Sequence, residues 1–281
     1  MQICFLGTGA ATSYPLPFCD CANCRQARQH GGKSLRMRSS LLVNEDLLID
    51  MGPDFASATL RFGKEIPRIR YLLQTHAHSD HFDAGHLVTR SRAYGCILRQ
   101  ALTITASQTC LNLMSEGINA IEGYTLFEKR CQEDMLLEMM ALEHGHEARL
   151  GRYRVLALES LHDPQTGSQI YLIQEGAKKI LYAVDSPALS PAASALLQGQ
   201  ALDLLVYEQT FGRGFESESH MNEDGLLKQL EGLHESKAVT PNTQIFITHI
   251  SHEGNAYHEA LAERCRALGY QPAFDGLEIE I

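Results

Sequence analysis

Residues 76–81 read His76-Ala77-His78-Ser79-Asp80-His81 and follow directly on the apolar run Tyr71-Leu72-Leu73-Gln74-Thr75. That run is strand-like, so the hexapeptide stands just past a strand's C-terminal end. Three imidazoles and a carboxylate this close together suit no packed core, because each needs hydrogen-bond partners that an apolar interior lacks. They suit a metal centre, since imidazole and carboxylate are ligands for Zn, Mn or Fe. His76 and His78 reach one ion from one side of the loop, and Asp80 and His81 point to a second. Two ions about 3.5–4 Å apart share a bridging hydroxide and clamp both the attacking and the leaving oxygen of a displacement.

Such a pair needs further ligands, and three other strand-like runs end on one. His162 follows VLALESL, Asp185 follows KKILYAV and His249 follows QIFIT. His144 and His146 lie close to His162 in sequence. His162 is preferred because it follows one strand and precedes another that ends at Asp185. His86 reads as a surface or supporting group, and His30, His234 and His258 as solvated side chains.

Around these points the chain interleaves strands and helices. Strands are expected at Gln2–Leu6, Ser40–Val43, Leu47–Ile49, Arg70–Leu73, Leu102–Ala106, Leu136–Leu142, Tyr153–Leu158, Ile170–Ile173, Ile180–Val184, Leu204–Tyr207, Ile245–Thr248 and Leu277–Ile281. Helices are expected at Ala22–Gln29, Asp54–Phe62, Pro191–Leu197, Glu223–Leu230 and Tyr257–Leu268. Residues 95–152 give no clear pattern beyond two of those strands. The interleaving favours a layered α/β architecture, read as one domain over residues 1–281.

Composition narrows the function. Lys and Arg total 24 against 34 Asp and Glu, a formal charge of −10. Such a surface repels a phosphate backbone, which disfavours nucleic acid as partner, and it gives no attachment to anionic membranes. No apolar run approaches the ~20 residues of a spanning helix. MQICFLGTGAAT carries no basic n-region, so a cytoplasmic protein is expected. There the eight cysteines suggest metal ligation or buried thiols before disulfides.

Three of those cysteines form a second cluster, Cys19-Asp20-Cys21-Ala22-Asn23-Cys24, whose CxCxxC spacing lets three thiolates face one tetrahedral zinc. A fourth ligand is open among His30, His252 and Cys265. Gly7 and Gly9 lack the full phosphate-cradling pattern and read as a tight turn beneath the metal site. Arg36 and Arg38 read as exposed.

From LGTGAAT and LLIDMGPDF through HAHSDH to FDGLEI, the chain resembles the metallo-β-lactamase superfamily along nearly its whole length. The resemblance implies a four-layer αβ/βα sandwich with metals at the edge between two sheets. It also implies that His76, His78 and His162 hold one divalent metal, that Asp80, His81 and His249 hold the other, and that Asp185 bridges both. CxCxxC, THISH and FDGLEI together are similar to the phosphodiesterase branch, which includes the cyclic phosphodiesterase of the carbon–phosphorus lyase (phosphonate) pathway. That branch implies one structural zinc on Cys19, Cys21, Cys24 and His252, and a homodimer. By the same resemblance His220, in ESHMNEDG, is the general acid, making Asp80 and His220 the candidate catalytic residues.

The expectation is therefore a dinuclear Zn- or Mn-dependent hydrolase that cleaves a small or cyclic phosphate ester by attack of a bridging hydroxide. A tRNA 3′-processing ribonuclease fits the same motifs, but the acidic charge opposes it. A relative of the pyrroloquinoline quinone accessory protein shares the cysteine cluster and the SHM-like segment. A non-enzymatic zinc-braced binding protein is disfavoured, because a decayed site loses ligands.

Overall fold

Near-continuous apolar runs imply strands covered on both faces, and the computed structural model, which describes residues 1–281, shows what covers them. Seven strands form the first sheet: β1 Gln2–Gly7, β2 Ser40–Val43, β3 Leu47–Ile49, β4 Tyr71–Leu73, β5 Leu102–Ala106, β6 Leu137–Ala141 and, beyond β1, β14 Glu278–Glu280. Seven more form the second: β7 Glu147–Leu150, β8 Tyr153–Glu159, β9 Gln169–Glu175, β10 Lys178–Ala183, β11 Leu204–Glu208, β12 Gln244–Thr248 and β13 Gln271–Pro272. Their side chains alternate between two cores. Ile3, Phe5, Leu41 and Val43 face Tyr171, Ile173, Tyr182 and Phe246 across the gap between the sheets.

The intervening residues face helices. Cys4, Leu6 and Leu42 pack outward with α2 Phe55–Arg61, α3 Ala84–Val88 and α4 Gln108–Glu122, while Ile170, Leu172, Ile245 and Ile247 pack outward on the other side. The result is the expected αβ/βα sandwich, with β3 to β6 parallel in one sheet and β10 to β13 parallel in the other. The C-terminal ends of parallel strands leave a crevice where ligands gather. No helix is long and apolar enough to cross a membrane.

The segment that gave no pattern holds α4, α5 Lys129–Met135 and β7. The α4 signals were present: Ser107 caps its start, Gly123 ends it in the left-handed region, and Cys110, Leu111, Met114 and Ile118 form its buried stripe. At Gly117 the helix passes Ala84 and Phe82, which lie at ordinary contact distances of 3.4 and 3.7 Å from the place a Cβ would take.

Two expectations are corrected. Arg36 is not exposed: it is 3% accessible and donates to Thr8 Oγ1 at 2.7 Å and Ala273 O at 2.6 Å. Nor is His258 solvated; it is buried, with Nδ1 3.2 Å from Arg36 Nη2. Together with Asp275, which accepts from Thr8 Oγ1 and Met37 N, they pin the N-terminal segment to the C-terminal strands. Gly7 serves this approach, since a Cβ there would lie 1.9 Å from Arg38 O. Arg38 is half-buried and pairs with Asp54 at 3.1 Å.

Burial lifts the Asp275 carboxyl to about 6 and, with Arg36 alongside, holds His258 down to about 4. Asp275 keeps its proton more tightly when folded, so its contribution favours the fold at low pH and is lost as pH rises through about 6. His258 binds its proton more weakly when folded, so its contribution is present above 6.5 and lost as pH falls through about 4. Asp275→Asn removes the first effect alone. Urea unfolding of that variant is expected to show stability rising with pH between about 4 and about 6 more steeply than in the parent chain; an equal or shallower slope would contradict it.

Candidate metal centre

Three residues at the crevice take the left-handed region that non-glycine residues seldom adopt: Asp50 (φ 62°) after β3, Asp185 (φ 51°) after β10 and His249 (φ 56°) after β12. In each, the turn swings a side chain off the strand direction into the gap between the sheets. Asp and His are among the residues that tolerate this conformation best, and strain of this kind collects at functional sites. Beneath the hexapeptide, Gly52 lets two chain segments touch, because a Cβ there would lie 2.1 Å from Asp80 O.

The predicted side chains converge. Donor atoms of His76, His78, His162 and Asp185 lie within 4.8 Å of one another, and so do those of Asp80, His81, Asp185 and His249. Asp185 belongs to both sets. Its Oδ2 is 3.1 Å from His76 Nε2 and 3.0 Å from His81 Nε2, and its Oδ1 is 3.1 Å from His249 Nε2. His144 and His146 stand exposed in the turn before β7, away from the cluster.

Each imidazole is oriented by a partner on its outer nitrogen. His81 Nδ1 donates to Asp50 Oδ2 at 2.8 Å, and His162 Nδ1 to Ser219 O at 2.8 Å. Thr75 Oγ1 gives its only hydrogen to Asp50, so it accepts from His76 Nδ1 at 3.0 Å. His78 is reversed: Nε2 faces Asp163 at 3.2 Å and Nδ1 faces His76 and His162. The inner nitrogens thus face the centre and would present lone pairs to a bound metal, the arrangement a metal ligand needs.

Electrostatics follow from crowding. Burial would raise Asp80 and Asp185, but the neighbouring His81 and His249 outweigh it and hold both carboxyls well below their usual range. Burial, with His81 alongside, pushes His76 down to about 4. His220 Nδ1 lies 3.1 Å from Glu208 Oε2 and 3.5 Å from Asp185 Oδ1. Burial opposes its protonation, but Glu208, and beyond it Asp185 and Asp80, lift it to about 9.

The cysteine cluster resolves its own open question. His252 Nδ1 is 3.4 Å from Cys21 Sγ and 3.8 Å from Cys19 Sγ, and Cys24 completes a four-donor set. His30 instead stacks on Tyr257, and Cys265 lies in the outer core. Cys21 caps α1 Ala22–His30; burial raises its thiol, but bonds with Cys24 N, His252 and Cys19 together outweigh it and bring it down to about 6.

These donor sets fit metal ions. Buried His81 Nε2, His249 Nε2 and Asp185 Oδ1 have no aligned hydrogen bond, although other donor atoms crowd them at about 3 Å. Atoms that surround a common centre behave in this way, and unpaired buried polar groups are otherwise rare. Three thiolates with one imidazole match a closed zinc site, and imidazole with carboxylate matches an open one.

A two-sheet sandwich with such donors at its edge has the architecture of a metal-dependent hydrolase. The chain belongs to the β-lactamase superfamily: the model of the family described as "Beta-lactamase superfamily domain" matches residues 45–242. Among solved structures it is similar to a new diphosphatase of the PhnP family, with 25% identity and a TM-score of 0.72 over 100% of this chain and 97% of that one. It shares the fold of Zn²⁺-bound PqqB from Methylobacterium extorquens (18% identity, TM-score 0.71, all of both chains). Human short-form tRNase Z also shares it (18% identity, TM-score 0.66, 100% of this chain and 99% of that one). No curated protein sequence matches the chain.

Sequence reasoning missed Asp50, Asp163, Glu208 and Thr210, which touch the cluster from behind. Their signal was faint: Asp50 and Glu208 are single acids at the ends of apolar strands, LLID and LLVYE. Asp50 also accepts from Thr75 N at 2.8 Å and Gln74 Nε2 at 3.0 Å. Asp50→Ala strands these buried donors with His81, so urea unfolding of metal-free protein is expected to show a loss of about 3–5 kcal/mol. A loss under 1 kcal/mol would refute this account of Asp50.

Proposed function

We propose that this chain is a dinuclear metal-dependent phosphodiesterase acting on a small or cyclic phosphate ester. His76, His78 and His162 would hold one ion, Asp80, His81 and His249 the other, with Asp185 shared and a structural zinc on Cys19, Cys21, Cys24 and His252. When bound, the catalytic pair, zinc or manganese, supplies activated water and Lewis-acid stabilisation of the phosphoryl oxygens. The likeness to the PhnP-family diphosphatase supports hydrolysis at a phosphoryl centre.

The observation that carries the reading is the Glu208–His220 pair beside Asp185. Expelling an alkoxide needs a proton, and a positioned imidazole contributes typically 10²–10⁴-fold to such a step. Glu208 takes His220 Nδ1, which leaves Nε2 to hold the proton for the leaving oxygen. Beside His220 opens a cavity of about 550 Å³ lined by Pro187, Glu216, Ser217, Glu218, Met221 and Asn222. It opens to solvent, and its carboxylates Glu216 and Glu218 oppose an RNA strand. A compact substrate, not nucleic acid, therefore fits better.

The test uses purified protein with Mn²⁺ or Zn²⁺ on bis(p-nitrophenyl) phosphate, a cyclic nucleotide and a pre-tRNA. Diester turnover is expected, without trimming of the pre-tRNA. Asp80→Ala should abolish turnover, and His220→Ala should lower kcat by about 10²–10⁴ on the cyclic nucleotide, whose leaving alkoxide needs the proton. Trimming would favour the ribonuclease reading, and failure on every ester would overturn the proposal. Separately, Cys21→Ser is expected to lose one dialysis-resistant zinc per chain, read by elemental analysis; unchanged zinc content would exclude the cysteine site.

A further inference from the structure

Thr210 is a buried threonine two residues past the end of β11, and it touches both halves of the proposed machinery. Its hydroxyl lies 2.7 Å from His249 Nδ1 and donates to Glu208 Oε2 in a close contact. Glu208 in turn holds His220. A hydroxyl has one hydrogen to give. Glu208, as a carboxylate, only accepts, so that hydrogen goes to it, and Thr210 must accept from His249 Nδ1–H. This fixes a hydrogen on His249 Nδ1 and turns Nε2 toward Asp80 and Asp185, where its lone pair would meet a bound metal.

The backbone of Thr210 is held as firmly. Its carbonyl accepts from Ser251 N at 3.1 Å, Ser251 Oγ at 2.7 Å and Asn255 Nδ2 at 3.0 Å. Those residues flank His252 on the loop that closes the cysteine cluster, and Asn255 O accepts from Tyr14 OH at 3.1 Å. The same hydroxyl–carboxylate device stands in the opposite sheet, where Thr75 gives its hydrogen to Asp50 and both orient ligand imidazoles.

We propose that Thr210 is a positioning residue, whose single hydroxyl sets the tautomer of the metal-facing His249 and steadies the Glu208–His220 pair, so that metal affinity and proton delivery depend on one side chain. The catalytic half of this statement rests on the phosphodiesterase reading; the tautomer and affinity half does not.

Three measurements test it. In metal-free wild-type protein, ¹⁵N imidazole shifts are expected to report a hydrogen on His249 Nδ1, whether or not Nε2 also carries one; a bare Nδ1 would overturn the proposal without any variant. In Thr210→Val, nearly isosteric and without the hydroxyl, His249 is expected to lose that preference, and zinc affinity at the catalytic centre should fall about 10–100-fold in competition with a chromophoric chelator. Thr210→Ser should restore both. On the cyclic nucleotide, whose leaving alkoxide needs a proton, Thr210→Val should lower kcat at saturating metal with little change in KM. Zinc affinity within threefold of wild type and an unchanged tautomer in Thr210→Val would refute the role. If wild-type protein turns over no ester, the phosphodiesterase reading fails, while the shift and affinity measurements still decide the assignment of Thr210.

Discussion

One buried carboxylate organises the site. Asp185, 2% accessible, has nitrogens of His76, His81, His162, His220 and His249 within 3.7 Å of its two oxygens. Burying a charge costs several kcal/mol unless opposite charge and hydrogen bonds compensate. Compensation here comes from imidazoles of both sheets, so the two halves must meet at this point. The left-handed turns at Asp50, Asp185 and His249 are local strain that the surrounding sheets hold in place.

Orientation is secured from behind. His81 leans on Asp50, His76 on Thr75, His78 on Asp163, His162 on the Ser219 carbonyl and His249 on Thr210. A ring nitrogen that is already bonded on one side can present only its other nitrogen forward, so these partners decide chemistry without touching a reacting atom. The cysteine cluster extends the same logic. Its loop residues Ser251 and Asn255 grip the Thr210 carbonyl, and Asn23, inside the CxCxxC segment, donates to His252 O at 2.9 Å. Bracing at the cysteines is thereby continuous with positioning at the histidines.

The acidic surface fits the same picture. With a net charge of −10, and Glu216 and Glu218 at the cavity beside His220, the protein repels long polyanions. For the proposed phosphate-ester substrate, attraction would come from inside the crevice, where metal ions when bound would supply the positive charge. Arg36, the one arginine that is almost wholly buried, is engaged elsewhere in tying the two ends of the chain together.

The sequence by itself determined the layered α/β class, most strand positions and the candidate donors of both clusters. Those features are local: a strand buried on both faces must be apolar, and a ligand at its end must be His, Asp or Cys. The tertiary structure alone decided which distant groups meet. It brought His252, not His30 or Cys265, to the cysteines, and it gathered His162, which the sequence already preferred to His144 and His146, into the cluster. It also buried Arg36 and His258, which sequence composition assigns to the surface. Asp50, Glu208 and Thr210 act through hydrogen bonds across strands, and a single acid or hydroxyl at a strand end looks the same in sequence whether it faces water or an imidazole.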